Sequence, residues 1–182
     1  MNELQKGIFE VIKGILSNDY INQTKKLDTG SWSEPLIHNS AIRYGILNYV
    51  AKFSLANDNY FITNNCLTHL RKNGLLNSKG LLRAKKGSRY KFIFEHPVPS
   101  NVIGDLLYAK KDDNDMMLKI LKETDCVTIM TYEEDAVLKK NGFTNNMPHD
   151  WKVLKDSPFA RYDVCGFDRP KTKIPVYGAL AR

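Results

Sequence analysis

The apolar residues of this chain change period partway along it. Near the start, Leu4, Ile8, Val11, Ile12 and Ile15 recur at helical spacing. Residues three and four apart share a helix face, so the spacing predicts an amphipathic helix over 2–17. Further on, Tyr90, Phe92 and Phe94 alternate with Lys91 and Ile93, a period of two that puts one set on one face of a strand. Helical periodicity first and strand periodicity later predict an α+β fold: a helical N-terminal third, then a small mixed or antiparallel sheet with packed helices. At 182 residues the chain suits one domain with its own core. Its parts are a helical stretch over 1–56, an α+β body over 57–144 that includes a basic hairpin, and a loop-rich segment over 145–182.

Local punctuation fills in the elements. Ser40 is a suitable N-cap for a helix whose apolar side holds Ile42, Ile46, Leu47, Val50 and Phe53, and Asn57-Asp58-Asn59 reads as the turn that ends it. Thr63 caps a third helix with Cys66, Leu67 and Leu70 inward, ending near Gly74. Strand-like runs follow at Gly80 to Ala84 and Arg89 to Glu95, with Lys86-Gly87-Ser88 as the hairpin turn. Ser100 reads as the cap of a helix carrying Val102, Ile103, Leu106 and Leu107. Asp112, Asp113 and Asp115 suit the start of another, whose inner face is Met116, Met117, Ile120 and Leu121. Cys126 to Met130 is a short β-rich run. Thr131-Tyr132-Glu133-Glu134 is a capping box for a helix that runs to about Lys140 and stops at Gly142. The proline-interrupted remainder, from Asn145, is expected to be mostly irregular.

Several classes of function are disfavoured. The chain has no apolar run of the roughly 18 residues that a membrane span needs. The first helix carries Glu3, Lys6, Glu10 and Lys13, unlike the apolar region of a signal peptide. The expectation is a cytoplasmic protein without a membrane partner. Cys66, Cys126 and Cys165 are odd in number and far apart, which predicts three buried or half-buried free thiols. Walker, GxGxxG, GxSxG and CxxC patterns are missing, and His38, His69, His96 and His149 lack the spacing of a local zinc pair.

Charge points to a polyanion. The formal net charge is +7, and the 36 residues from Asn59 to Phe94 contain no acid. Within that window lie Arg71, Lys72, Lys79, Arg83, Lys85, Lys86, Arg89 and Lys91, leaving 19 basic against 20 acidic residues elsewhere. One segment therefore carries the basicity, and cations so concentrated release counterions from a phosphate backbone. The alternative is a solvated basic surface. Arg161 is a further candidate, able to clamp a phosphate while Tyr162 stacks on a base; equally, such a pair pins a C-terminal segment to the body. The helix containing Leu70-Arg71-Lys72-Asn73-Gly74-Leu75-Leu76, followed by the basic hairpin Leu82 to Lys91, resembles the back half of a winged helix. That resemblance implies that Asn64, Asn65, Thr68 and His69 approach bases and that the wing lysines hold phosphates.

Phe94-Glu95-His96-Pro97-Val98-Pro99 is the second notable segment. An acid–His pair where a strand runs into a proline turn is held firmly beside open backbone. Histidine serves as a general base near neutral pH, and glutamate holds a metal or orients the imidazole. The other reading is a packed histidine beside a surface acid. The string is similar to the first half of the HNH, or ββα-metal, nuclease motif. On that resemblance His96 is the base, Glu95 lies in or near a metal shell, and the cofactor is a divalent ion, Mg²⁺ or Mn²⁺. Glu133, Glu134 and Asp135 form an acidic cluster straight after a short strand, where metal-dependent nucleases place carboxylates; the capping box explains Glu134 without chemistry and is the favoured reading.

The expectation is thus a nucleic-acid-binding protein, DNA ahead of RNA, acting as a small metal-dependent endonuclease. Catalysis would rest on Glu95 and His96. A non-enzymatic winged-helix-like DNA binder and a basic protein-interaction or inhibitor module are the alternatives, and a homodimer is compatible with each.

Overall fold

A computed structural model describes residues 1–18, 41–82 and 90–176. Among these the elements are α1 (Glu3–Leu16), α2 (Ala41–Leu55), β1 (Asn59–Ile62), α3 (Asn64–Lys72), β2 (Phe92–Glu95), α4 (Ser100–Ala109), α5 (Asn114–Glu123), β3 (Thr128–Thr131), α6 (Tyr132–Lys140), α7 (Ala160–Val164) and β4 (Thr172–Pro175). This is the expected α+β fold. The sheet is mixed, in the order β2-β3-β1-β4. Strand β1 runs parallel to β3 and antiparallel to β4, while β2 runs antiparallel to β3 with Glu95 opposite Thr128.

Ile46, Val50 and Phe53 of the α2 stripe read from the sequence are buried, but the α1 stripe is corrected: Leu4 and Val11 stand exposed, and Phe9 and Leu16 join Ile8 and Ile12 on the core face. Ile8, Phe9, Ile12 and Leu16 of α1 bury against Ile46, Val50 and Phe53 of α2, and Ile103, Leu107, Met117 and Ile120 close the cluster from α4 and α5. The methionine stripe is core. Asn2 begins α1 with a reciprocal capping box to Gln5. Buried Gln5 also donates to the Phe53 carbonyl at 3.1 Å and to Asp125 at 2.9 Å, tying α1 to the end of α2 and to the loop before β3. Gly104 lets α4 approach α2: a Cβ there would stand 2.8 Å from the Leu47 side chain.

The sheet has a core on each face. Tyr60, Ile62, Phe92, Phe94 and Ile129 face α3 through Cys66 and Leu70. Met130 packs on the opposite face with Leu138 and Tyr162, and Ile93, Phe143 and Phe159 lie against them. Two parallel strands each lead directly into a helix capped by a threonine. Thr63 Oγ1 accepts from the Cys66 N–H at 3.1 Å, and Thr131 forms the expected capping box with Glu134. Glu134 is buried between them, accepting from the Thr131 N–H at 2.9 Å and from Thr63 Oγ1 at 2.8 Å.

Several local expectations are corrected. The strand expected from Arg89 begins at Phe92, because Lys91 takes a left-handed conformation with φ 56° that breaks the extended chain. Of the run from Gly80 to Ala84, whose last two residues lie outside the described ones, Leu82 makes only an isolated bridge with Leu76, and its N–H donates to the Pro175 carbonyl at the end of β4 at 3.4 Å. Ser100 is the first residue of its helix; Pro99 occupies the cap and supplies no side-chain bond. Cys126 and Val127 precede β3 rather than opening it. Asn59 opens β1, and the loop-rich C-terminal segment contains α7 and β4. The Ser40 cap and the Lys86-Gly87-Ser88 turn lie outside the described residues. No helix among the described residues is long and apolar enough to cross a membrane.

Candidate functional site

Strand alternation decides where Glu95 goes. Phe92 and Phe94 fill the core on the α3 side, so Ile93 and Glu95 project to the other face, toward α6 and α7. The chain then turns through Pro97 and Pro99 into α4. At this corner the end of β2, the first turn of α4, α6 and residues 143–145 enclose a cleft of about 320 Å³. Glu95, His96, Ser100, Asn101, Asp135 and Arg161 are among its lining residues.

The floor of the cleft is a satisfied charge cluster. Arg161 is almost wholly buried. Its Nε donates to the Pro97 carbonyl at 2.9 Å and one terminal nitrogen to the His96 carbonyl at 2.6 Å. Its guanidinium also donates to the Phe143 carbonyl and to Glu95 Oε1, while the Tyr162 hydroxyl donates to Glu95 Oε2. Arg161 thus pins α7 to the β2–α4 turn, the second of its two expected roles. Glu95 is the acceptor of a buried ion pair, with each carboxylate oxygen engaged, and is not a surface acid. Burial pushes its carboxyl above the ordinary range; Arg161 and the Tyr162 hydrogen bond oppose that, and Asp135 adds to it. Burial likewise raises the Tyr162 hydroxyl, reinforced by Glu95.

His96 faces α2, where its Nε2 lies 3.3 Å from the Ala51 carbonyl. A carbonyl only accepts, so this contact favours the proton on Nε2 and the lone pair on Nδ1. Asp135 is the second carboxylate of the cleft. It pairs with Lys139 at 2.6 Å, one turn along α6, on the side nearer solvent. The sequence names Asp135 only within the acidic cluster that the capping box accounts for, not as a site residue. The i,i+4 Asp–Lys spacing was visible, but only the pairing of Glu95 with Thr128 carries the first turn of α6 to this corner. Among the described residues no three His, Cys, Asp or Glu side chains gather as a metal-binding group.

The basic candidates lie elsewhere on the body. Arg71 and Lys72 are exposed in the last turn of α3, and Lys79 and Lys91 are exposed beyond it. Arg83, Lys85, Lys86 and Arg89 lie outside the described residues. Asn64, Asn65, Thr68, Arg71 and Lys72 make up the exposed face of α3. Some of its expected base-reading groups are engaged internally: Asn65 donates to Glu134 at 3.2 Å and the Thr68 hydroxyl to the Asn64 carbonyl at 3.0 Å. His69 Nε2 lies 2.9 Å from the Tyr90 carbonyl and anchors α3 to the chain entering β2.

Comparison with protein-family models, with curated proteins and with solved structures finds no match to this chain.

Proposed function

We propose that the protein binds nucleic acid, DNA ahead of RNA, through the basic segment 71–91. The observation that carries this reading is the exposure of Arg71, Lys72 and Lys79 without a carboxylate partner among the described residues, in a stretch of chain that holds no acid. Unpaired, solvent-facing cations on one segment exchange their counterions for phosphates at little structural cost. The test is a fluorescence-anisotropy titration of duplex and single-stranded DNA and of RNA across salt concentrations. The double variant Lys85→Glu/Lys86→Glu weakens binding on every sequence and flattens the salt slope by about two. Retained affinity with an unchanged slope overturns the reading.

A second reading, cleavage of the bound strand, is favoured by one observation: Glu95 and His96 share their cleft with a second carboxylate, Asp135. In this reading His96 accepts a proton from water and Asp135, whose Oδ2 pairs with Lys139, supplies its other carboxylate oxygen. Glu95, with both oxygens engaged, holds the turn in place, so its expected part in a metal shell does not fit this arrangement. Incubation of plasmid DNA with and without Mg²⁺ or Mn²⁺ tests it. His96→Ala then abolishes cleavage while binding survives; unchanged cleavage in that variant removes the reading.

A further inference from the structure

We infer that the cleft between β2, α4 and α6 is a receptor for one unstacked nucleobase. This rests on the nucleic-acid reading above for its choice of ligand and names the form of strand that the protein takes. Its volume, about 320 Å³, lies at the small end of the range for ligand pockets. It suits a base with its sugar and is far too small for a duplex.

The lining has two kinds of surface. Leu47, Leu138 and Phe143 provide apolar wall for the flat faces of a base. Asp135, Asn101 and Asn145 offer carboxylate and amide groups to its hydrogen-bonding edge. The Asn101 side-chain amide donates to the Asn145 backbone carbonyl at 2.8 Å, which ties the first turn of α4 to residues 143–145. The floor argues against a bare phosphate as the occupant. Arg161, the one Arg or Lys lining the cleft among the described residues, commits four of its five N–H donors to Glu95 and to three backbone carbonyls. A phosphate would meet a guanidinium already paired with Glu95 and a carboxylate already paired with Lys139, with no uncommitted cation lining the cleft among the described residues, whereas the N–H edge of a base meets acceptor oxygens. A base reaches such a cleft only when out of the helical stack, so the preferred ligand is single-stranded or locally unpaired.

The test is amide NMR of ¹⁵N-labelled full-length protein titrated with deoxynucleoside 5′-monophosphates and, separately, with deoxyribose 5-phosphate, which lacks the base. The monophosphates shift Asn101, Asp135 and Asn145; deoxyribose 5-phosphate does not. Asp135→Asn weakens the monophosphates about fivefold. Asn145→Ala, at an exposed position, weakens them in the same direction and guards against an unfolded first variant. Equal shifts with deoxyribose 5-phosphate, shifts confined to 62–91, or no shifts overturn the inference. The Lys85→Glu/Lys86→Glu protein separates it from the parent reading. That variant binds oligonucleotides more weakly and keeps the monophosphate shifts at the cleft, whereas a cleft that stays silent while oligonucleotides still bind sinks the base receptor alone.

Discussion

Arg161 and Glu95, 66 residues apart in the chain, form an ion pair with side-chain exposures of only 2% and 11%. The pair closes the floor of the cleft and ties the C-terminal segment to the sheet. Removing one member strands a buried charge, which typically costs about 3–5 kcal/mol. Arg161→Met and Glu95→Gln should each lower the urea midpoint sharply. The double variant should cost less than the two singles combined, by at least about 1 kcal/mol. Strictly additive losses would show that the pair is not coupled.

Glu134 joins the N-termini of two helices. It accepts from Thr131 and Thr63 and from the Asn65 amide. Its replacement by Ala removes the return half of one capping box and leaves buried donors unpaired, so a loss of about 2 kcal/mol is expected. Exposed Glu133→Ala, one residue away, should change the unfolding free energy by less than about 0.5 kcal/mol. Equal effects at the two positions would refute the bridging role.

Asp125 gives a signed pH dependence. Burial raises its carboxyl above the ordinary value, opposed by hydrogen bonds from Gln5 and Asn57. A carboxyl with a higher pKa in the folded than in the unfolded state binds more protons when folded. Its contribution is therefore most favourable below the ordinary carboxylate range and declines as pH rises through the raised value. Urea midpoints measured upward from about pH 4 should show this decline flattened in Asp125→Asn. An unaltered pH profile in that variant would exclude Asp125 as a source; Glu95, raised in the same direction, should contribute a separate part.

The three thiols should differ in reactivity. Burial pushes Cys66 and Cys126 up to about 12, while Cys165 is half-exposed. The thiolate is the reactive form, so access and ionisation act together. Iodoacetamide on the native protein at mildly alkaline pH should modify Cys165 first, as read by peptide mass mapping. Early labelling of Cys66 or Cys126 would contradict the packing described.

Much of the fold was legible because it depends on near neighbours in the chain. The helix through Ile8 and Ile12, the Thr63 cap, the acids that open α5 and the Thr131–Glu134 box all follow from contacts within four residues. Elements of four residues were harder. Strand β1 shows only Tyr60 and Ile62 buried on one side, too short a pattern to distinguish from a turn beside Asn57 and Asp58. Strand β4 has a single buried position, Ile174, and exists because β1 offers it an edge.

The sequence by itself determined the helices, the Thr63 and Thr131 caps and the acid-free basic window, since these are properties of spacing and composition. It also singled out Glu95 and His96 as an unusual pair. Only the tertiary structure decided what Glu95 does. Its partners Arg161 and Tyr162 lie more than 60 residues away, and Asp135 arrives beside it through the pairing of β2 with β3. A carboxylate takes its role from the charges and donors that burial forces upon it, and those are set by which distant segments the sheet brings together.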